Sequence, residues 1–209
     1  MATTTVYLSS HLGTGTNPDS LNYGVPINTY YYQNRSQGII LASELTSMGL
    51  QSGDKFTRFG YYATEAGGRS TIANFRIGLA LTSNTTVTSW YNWTNFTLVY
   101  GPTNITMSSF PLNTYSYVDL TDQTFEWNGT SNLIIDMSRT DTGYSGTSGL
   151  VRTATGVGSN RTYAGRADSS TFPYTGSGTA YAVLMDYYFQ VTRPDAAPDE
   201  NCIFFGMNF

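Results

Sequence analysis

The chain is poor in the side chains that most often carry chemistry. In 209 residues it has one histidine, His11, one cysteine, Cys202, and one lysine, Lys55. A lone cysteine excludes an intramolecular disulfide and any zinc site built from several cysteines, so stability must come from packing. A triad would have to use His11, which sits between Ser10 and Leu12 at the lip of a glycine-rich loop and reads as a turn residue. Cys202 has no activating base beside it in sequence and reads as a passive thiol.

Charge is also scarce. Charged residues make up 11% of the chain and the formal net charge is −4. Nucleic-acid binding needs many phosphate-neutralising Lys and Arg side chains, and no basic arm or patch is present, so no nucleic-acid partner is expected. The longest apolar runs, such as Tyr187-Tyr188-Phe189, fall far short of the roughly 20 residues of a membrane span, so no membrane insertion is expected. The stretch Ala2-Thr3-Thr4-Thr5 lacks the basic and apolar regions of a signal peptide, an expectation that fits release by lysis as for a virion protein. No helix of ordinary length is visible, nor any repeat.

What the chain does have is aromatic and β-branched residues, with Tyr 17, Phe 11 and Trp 3. That is the composition of strands rather than helices. Phe75, Ile77, Leu79 and Leu81 alternate with Asn74, Arg76 and Thr82, as a half-buried antiparallel strand requires. Phe59 and Tyr61 share a face; Phe96, Leu98 and Tyr100 alternate; Val183, Met185, Tyr187 and Phe189 form the last long strand. In Phe125-Glu126-Trp127-Asn128-Gly129-Thr130-Ser131-Asn132, an Asn-Gly pair predicts a tight turn with positive φ between a strand and the doubly buried run Leu133–Met137. Glu65-Ala66-Gly67-Gly68-Arg69 reads as a hairpin connection, and Ser43-Glu44-Leu45 before Met48-Gly49 as one helical turn with a glycine cap. The expected fold is all-β, an antiparallel β-sandwich of jelly-roll type with about ten strands. Its expected core is Phe75, Ile77, Leu79, Leu133, Ile135, Met137, Val183, Met185 and Phe189. The domain is expected over 1–192, followed by a Pro-rich linker over 193–200 and an apolar tail over 201–209.

Several strings resemble β-sandwich modules of secreted, multidomain bacterial surface and adhesin proteins. They are Gly13-Thr14-Gly15-Thr16, Pro26-Ile27-Asn28-Thr29-Tyr30-Tyr31, Ala42-Ser43-Glu44-Leu45, Phe125 to Leu133, and Gly158-Ser159-Asn160-Arg161. The resemblance spans roughly 13 to 190. It implies adhesion or carbohydrate binding, no catalytic residues, and a core position for Trp93. Here the sequence starts at a methionine and ends in its own apolar tail, which shifts the expectation to a stand-alone, phage-borne or surface subunit.

The function expected is therefore non-enzymatic. The leading reading is a structural or assembly protein of a virion or extracellular surface, partnered by copies of itself or by other virion or surface proteins. The alternative is a carbohydrate- or receptor-binding adhesin module recognising cell-surface glycans. Candidate glycan or partner contacts are Trp90 and Tyr91 of the cluster Ser89-Trp90-Tyr91-Asn92-Trp93, and Tyr31 of Tyr30-Tyr31-Tyr32, because amphipathic rings stack on sugars or bury in partners. The tail residues Ile203, Phe204, Phe205, Met207 and Phe209 are candidates for assembly; each contributes about 1.5–3 kcal/mol when fully buried. Asp119, Asp122, Glu126, Asp136 and Asp186 form the only carboxylate set from which a glycosidase pair could be drawn, with turn capping and ladder ends the expected roles. No cofactor is expected; Asp136 to Asp141 or Asp119 to Asp122 could offer oxygen ligands to a structural calcium, but neither matches a known loop pattern. Seven Asn-x-Ser/Thr sequons, at Asn34, Asn84, Asn92, Asn95, Asn104, Asn128 and Asn160, are explained mostly by composition.

Overall fold

The computed structural model describes residues 2–7, 27–141, 143–154, 156–168 and 174–193. His11, Cys202 and the tail residues Ile203, Phe204, Phe205, Met207 and Phe209 lie outside them. The fold is an all-β sandwich with antiparallel sheets, as the alternation predicts. One sheet runs β1 (Ala2–Tyr7), β14 (Tyr187–Arg193), β3 (Lys55–Glu65), β6 (Thr114–Asp119), with β7 (Phe125–Glu126) and β9 (Leu150–Val151) also pairing β3. The other runs β12 (Thr179–Tyr181), β11 (Thr162–Ala167), β2 (Gln33–Ile40), β8 (Asn132–Thr140), β4 (Thr71–Thr82), β5 (Thr97–Thr106). A small ladder joins β10 (Thr153–Ala154) to β13 (Leu184–Met185). In β1 and β14 the register sets Ala2 opposite Arg193 and Tyr7 opposite Tyr188.

The interior takes one side chain in two from each long strand. Phe56, Phe59 and Tyr61 of β3, with Phe189 and Val191 of β14, meet Phe75, Ile77 and Leu79 of β4 and Leu133, Ile135 and Met137 of β8. Eight of the nine expected core residues are fully buried; Val183 is only half-buried against the cluster, because it precedes the short β13 rather than lying within a continuous strand. In β5 the buried residues are Val99 and Ile105, while Leu98 and Tyr100, and Phe96 just before the strand, are half-buried. The β4–β5 register shifts between Ile77 and Gly78, which breaks the simple alternation read from the sequence.

The connection read as a hairpin, 65–69, and the tight turn around Asn128-Gly129 both cross between the sheets. The 65–69 segment carries the chain from β3 in one sheet to β4 in the other, and 127–131 carries it from β7 to β8 across the same gap. Gly129 does take the positive φ expected, +80°, and Trp127 is buried with its indole Nε1–H donating to the Ser131 carbonyl at 2.8 Å. The helical turn is α1 (Ala42–Ser47), ending at Gly49 with φ +95°, and the Leu41 N–H donates to Glu44 at 2.8 Å, half of a capping box. The fourteen strands among the described residues exceed the roughly ten expected because several, such as β7, β9, β10 and β13, are two residues long and too short to show a period.

Candidate functional site

The second sheet has an outer face that is not left to solvent. Alternation turns Arg35, Gln37 and Ile39 of β2, Ile134, Asp136 and Ser138 of β8, and Arg76, Gly78 and Ala80 of β4 away from the main core. Their apolar members pack as a second cluster, Ile39, Ala80, Val87 and Ile134, with Tyr91, Phe96 and Tyr163 against it. The segment 83–96, including the aromatic run picked out in the sequence, folds down over this face.

Beneath it lies a buried polar constellation. Gln37 and Gly78 both pair with Asp136 across their ladders. The fully buried Asp136 Oδ2 accepts from Arg35 Nε at 2.7 Å and from Gln37 Nε2 at 2.7 Å, with Arg35 Nη2 at 2.6 Å. Burial raises the Asp136 pKa, and the Arg35 charge and hydrogen bonds pull against it. Arg76 donates to the Ser138 hydroxyl at 2.8 Å, and burial pushes its pKa down to about 10, opposed by Asp136. Gln37 then ties the loop down: its Oε1 accepts from the Tyr91 N–H at 2.7 Å and its Nε2 donates to the Tyr91 carbonyl at 3.0 Å. This two-way clasp fixes Tyr91 in register with the strand.

The aromatic residues are consequently walls rather than free platforms. Trp90 is half-buried, with the Arg35 guanidinium 4.6 Å from its ring centroid, Tyr163 against it edge-on at 4.7 Å and its Nε1–H donating to the Gly176 carbonyl at 2.7 Å. Tyr91 is half-buried and meets Phe96 edge-on at 5.7 Å. Trp93, placed in the core by the resemblance, is instead half-buried on the outer face, stacked on Phe96 at 5.5 Å with Arg76 3.3 Å over its ring. It fits there because Gly78 has no side chain; a Cβ at 78 would lie 2.9 Å from the indole. Tyr31 belongs to a different part of the molecule. It is half-buried, 4.9 Å from the exposed Tyr30, with Arg166 4.1 Å over its ring.

Two clefts lie along this sheet, of which the smaller includes Trp90. One, of about 100 Å³, is lined by Ile39, Ile134 and the loop residues Asn84 and 86–91. The other, of about 260 Å³, lies at the β11–β12 edge between Arg166, Ser177, Thr179 and Tyr181, over Ala164 and Gly165. It is the cleft nearer Tyr31, since Arg166 is common to both contacts. Five sequons, at Asn84, Asn92, Asn95, Asn104 and Asn128, are exposed, whereas Asn34 is buried and Asn160 half-buried.

Sequence reasoning missed the arginines. Arg139, fully buried, donates to Asp141 at 2.5 Å and to the carbonyls of Asn28, Tyr31 and Tyr32, pinning the tyrosine run from inside; burial pushes its pKa down to about 10. Arg161 binds both oxygens of Glu44 and the Ile39 carbonyl. Arg193 makes a two-pronged pair with the buried Asp54, each bond 2.8 Å. Of the carboxylates weighed above, Asp119 pairs with Arg58, Glu126 with Lys55 at 3.9 Å, Asp136 with Arg35, and Asp186 with Arg152 and the Tyr115 hydroxyl. The proposed calcium pairings thus have Asp119, Asp136 and Asp141 each against an arginine, and no group of three or more His, Cys, Asp or Glu side chains is placed to hold a metal among the described residues. No helix among the described residues is long and apolar enough to cross a membrane.

No model of a known protein family matches the chain, and no curated protein matches its sequence. Among solved structures, it is similar to the cysteine protease and lectin-like domains of a surface-layer-associated protein of Clostridium difficile. The identity is 6% and the TM-score 0.43, over 78% of this chain and 32% of that one. The chain therefore spans about a third of the length of that solved protein.

Proposed function

We propose that the chain is a non-catalytic structural and assembly module of an extracellular particle or surface: a virion decoration, fibre or capsid-associated subunit, or a subunit of a surface filament. The observation that supports this most is the use made of its few charges. Asp54, Asp136, Asp141, Asp186 and Glu44 are buried and each is held by an arginine, so the acids brace the sandwich rather than face a cleft as an acid–base pair. The surface left over is rich in Thr, Ser, Asn and Tyr, suited to close contact with neighbouring subunits. On this reading the apolar side chains of 201–209 bury against a neighbouring copy, carried there by the linker from Pro194 to Glu200. Sedimentation of the full chain and of a version ending at Arg193 tests it: the truncated protein should lose the oligomeric state. Retention of that state with lowered thermal stability alone would show that the tail packs in cis.

A second reading, recognition of cell-surface glycans, is favoured by one specific feature, the cleft beside Trp90 whose rim carries the hydroxyls of Thr86, Thr88 and Ser89. A broad glycan array tests it directly. Absence of any hit would remove it.

A further inference from the structure

Two of the four exposed large apolar side chains among the described residues stand together where the chain enters β2. Tyr30 is 42% exposed and Tyr144 63%, their rings 6.5 Å apart, with half-buried Tyr31 4.9 Å from Tyr30 and half-buried Tyr32 stacked on Tyr144 at 6.2 Å. Arg166 of β11, whose guanidinium lies over the Tyr31 ring, also lines the cleft of about 260 Å³, with the exposed Ser177 and Thr179 at its rim. We propose that this tyrosine platform and the adjoining cleft together bind an uncharged glycan chain, one sugar stacking its C–H face on Tyr30 and Tyr144 while another meets the rim of the cleft. The inference rests on the glycan-recognition reading and gives it a site separate from the cleft beside Trp90.

The two halves of the site ask for one kind of ligand. Tyrosine presents an apolar ring face with a hydroxyl at its tip, and the accessible rim of the cleft carries the hydroxyls of Ser177 and Thr179. A sugar is apolar on one face of its ring and hydroxylated around its edge, so it satisfies both. An aliphatic or aromatic anchor from a protein suits the platform, but over the cleft it would strip water from the rim hydroxyls without replacing it. A nucleic-acid base also stacks on tyrosine, yet its phosphates need a basic groove. Here Arg166 is followed two residues on by the exposed Asp168, whose carboxylate accepts from the Tyr32 N–H at 3.4 Å. The same carboxylate opposes an acidic sugar, so the complement is uncharged. The cleft is smaller than the roughly 300–1,000 Å³ of sites for drug-sized ligands and takes a single ring, which leaves the rest of the chain to the platform.

Both halves are held in shape before any ligand arrives. Arg139 grips the carbonyls of Tyr31 and Tyr32 from inside, Asn28 Oδ1 accepts from the Tyr30 N–H at 3.1 Å, and the Ser145 N–H, next to Tyr144, donates to the Thr29 carbonyl at 3.0 Å. At the cleft the Tyr174 hydroxyl donates to the Ser177 carbonyl at 2.8 Å and the Gly178 N–H to the Tyr163 hydroxyl at 3.0 Å. Rings placed on a fixed backbone, with two side-chain torsions each, lose little freedom when a ligand settles on them.

An array of neutral and acidic glycans, probed with the full chain and with single-site variants, tests the site, and titration of the strongest hit gives the affinities. The parent should return uncharged glycans. Tyr144→Ala and Tyr30→Ala should each lower the affinity by about tenfold with the thermal transition unchanged, whereas Tyr144→Phe, which keeps the ring, should bind like the parent. Thr179→Trp, which sets an indole at the rim of the cleft, should weaken binding by a similar factor, and Ser89→Trp, at the other cleft, should leave it unchanged. Hits that survive both alanine variants, or that are lost in Ser89→Trp alone, overturn the assignment and leave the broader glycan reading standing. So do hits confined to acidic glycans, and so does full affinity in Thr179→Trp. An array with no hits removes both.

Discussion

Gly38 and Tyr187 share one small volume at the centre of the sandwich: a Cβ built on Gly38 would lie 2.5 Å from the Tyr187 hydroxyl oxygen and 3.4 Å from Cζ. Removing the oxygen should therefore make room for the methyl. Gly38→Ala alone is expected to cost about 1–3 kcal/mol through overpacking. In Gly38→Ala/Tyr187→Phe the loss should shrink, and urea denaturation of the four proteins of the cycle reads that coupling. Additive losses would show that the ring does not limit the site.

The same tyrosine sets a pH dependence. Tyr187 is fully buried, its hydroxyl has no hydrogen-bond partner among the described residues, and burial drives its pKa well above 10. A raised folded-state pKa stabilises below the unfolded value, about 10, and the benefit is lost as pH rises past it, because the unfolded chain ionises while the native one cannot. Tyr187→Phe should be near neutral at pH 7. Relative to the parent it should gain about 1.4 kcal/mol for each pH unit above 10, up to the folded pKa. Melting temperatures of the two proteins between pH 7 and 11 give the comparison.

The Glu44–Arg161 pair should be costly to halve. Glu44→Gln leaves a buried guanidinium without its counterion and is expected to cost about 3–5 kcal/mol, an apparent fall of roughly 6–20 °C in melting temperature for a domain of this size. Thermal scanning decides. A fall of a degree or two would mean that water reaches the pair.

Gly78 is the seat of Trp93, so Gly78→Val should push the indole off the sheet and expose Arg76. Trp fluorescence should shift to the red, with a loss of about 1–3 kcal/mol. An unshifted spectrum would show that the loop adjusts without moving its tryptophans.

Trp90→Ala removes a wall shared by Arg35 and Tyr163, and a stability loss of about 2 kcal/mol should accompany any change in glycan binding. The two effects separate by comparison with Ser89→Trp, which closes the smaller cleft without removing that wall.

The fold was legible in the sequence wherever the signal is local. The alternation at Phe75, Ile77 and Leu79, the buried run Leu133–Met137, the glycine ending α1 and the positive φ at Gly129 all depend on a few neighbouring residues. Which sheet a strand joins does not. The segments 65–69 and 127–131 carry good turn residues, yet both cross between sheets, because a turn's chemistry is silent about the distant strand that finally pairs. The outer-face site was hidden for a related reason. Arg35 and Asp136 are 101 residues apart, and Gln37 and Tyr91 are 54 apart. Nothing near Arg35 marks it as the future partner of a buried carboxylate, and an aromatic loop rich in Asn and Thr looks the same whether it stands in solvent or covers a sheet.

The pairing of β1 with β14 also decides how the molecule answers to tension. Ala2 and Arg193 lie opposite each other at the same end of that antiparallel ladder, whose hydrogen bonds run perpendicular to the strands. A load applied between those two residues reaches the bonds singly, from Ala2 and Arg193 towards Tyr7 and Tyr188, so the strands unzip rather than shear. Placed in a filament and pulled through these two points, the sandwich would yield at low force from one edge, while the β2–β8–β4 centre of the other sheet, with its buried Arg35–Asp136 pair, stayed intact.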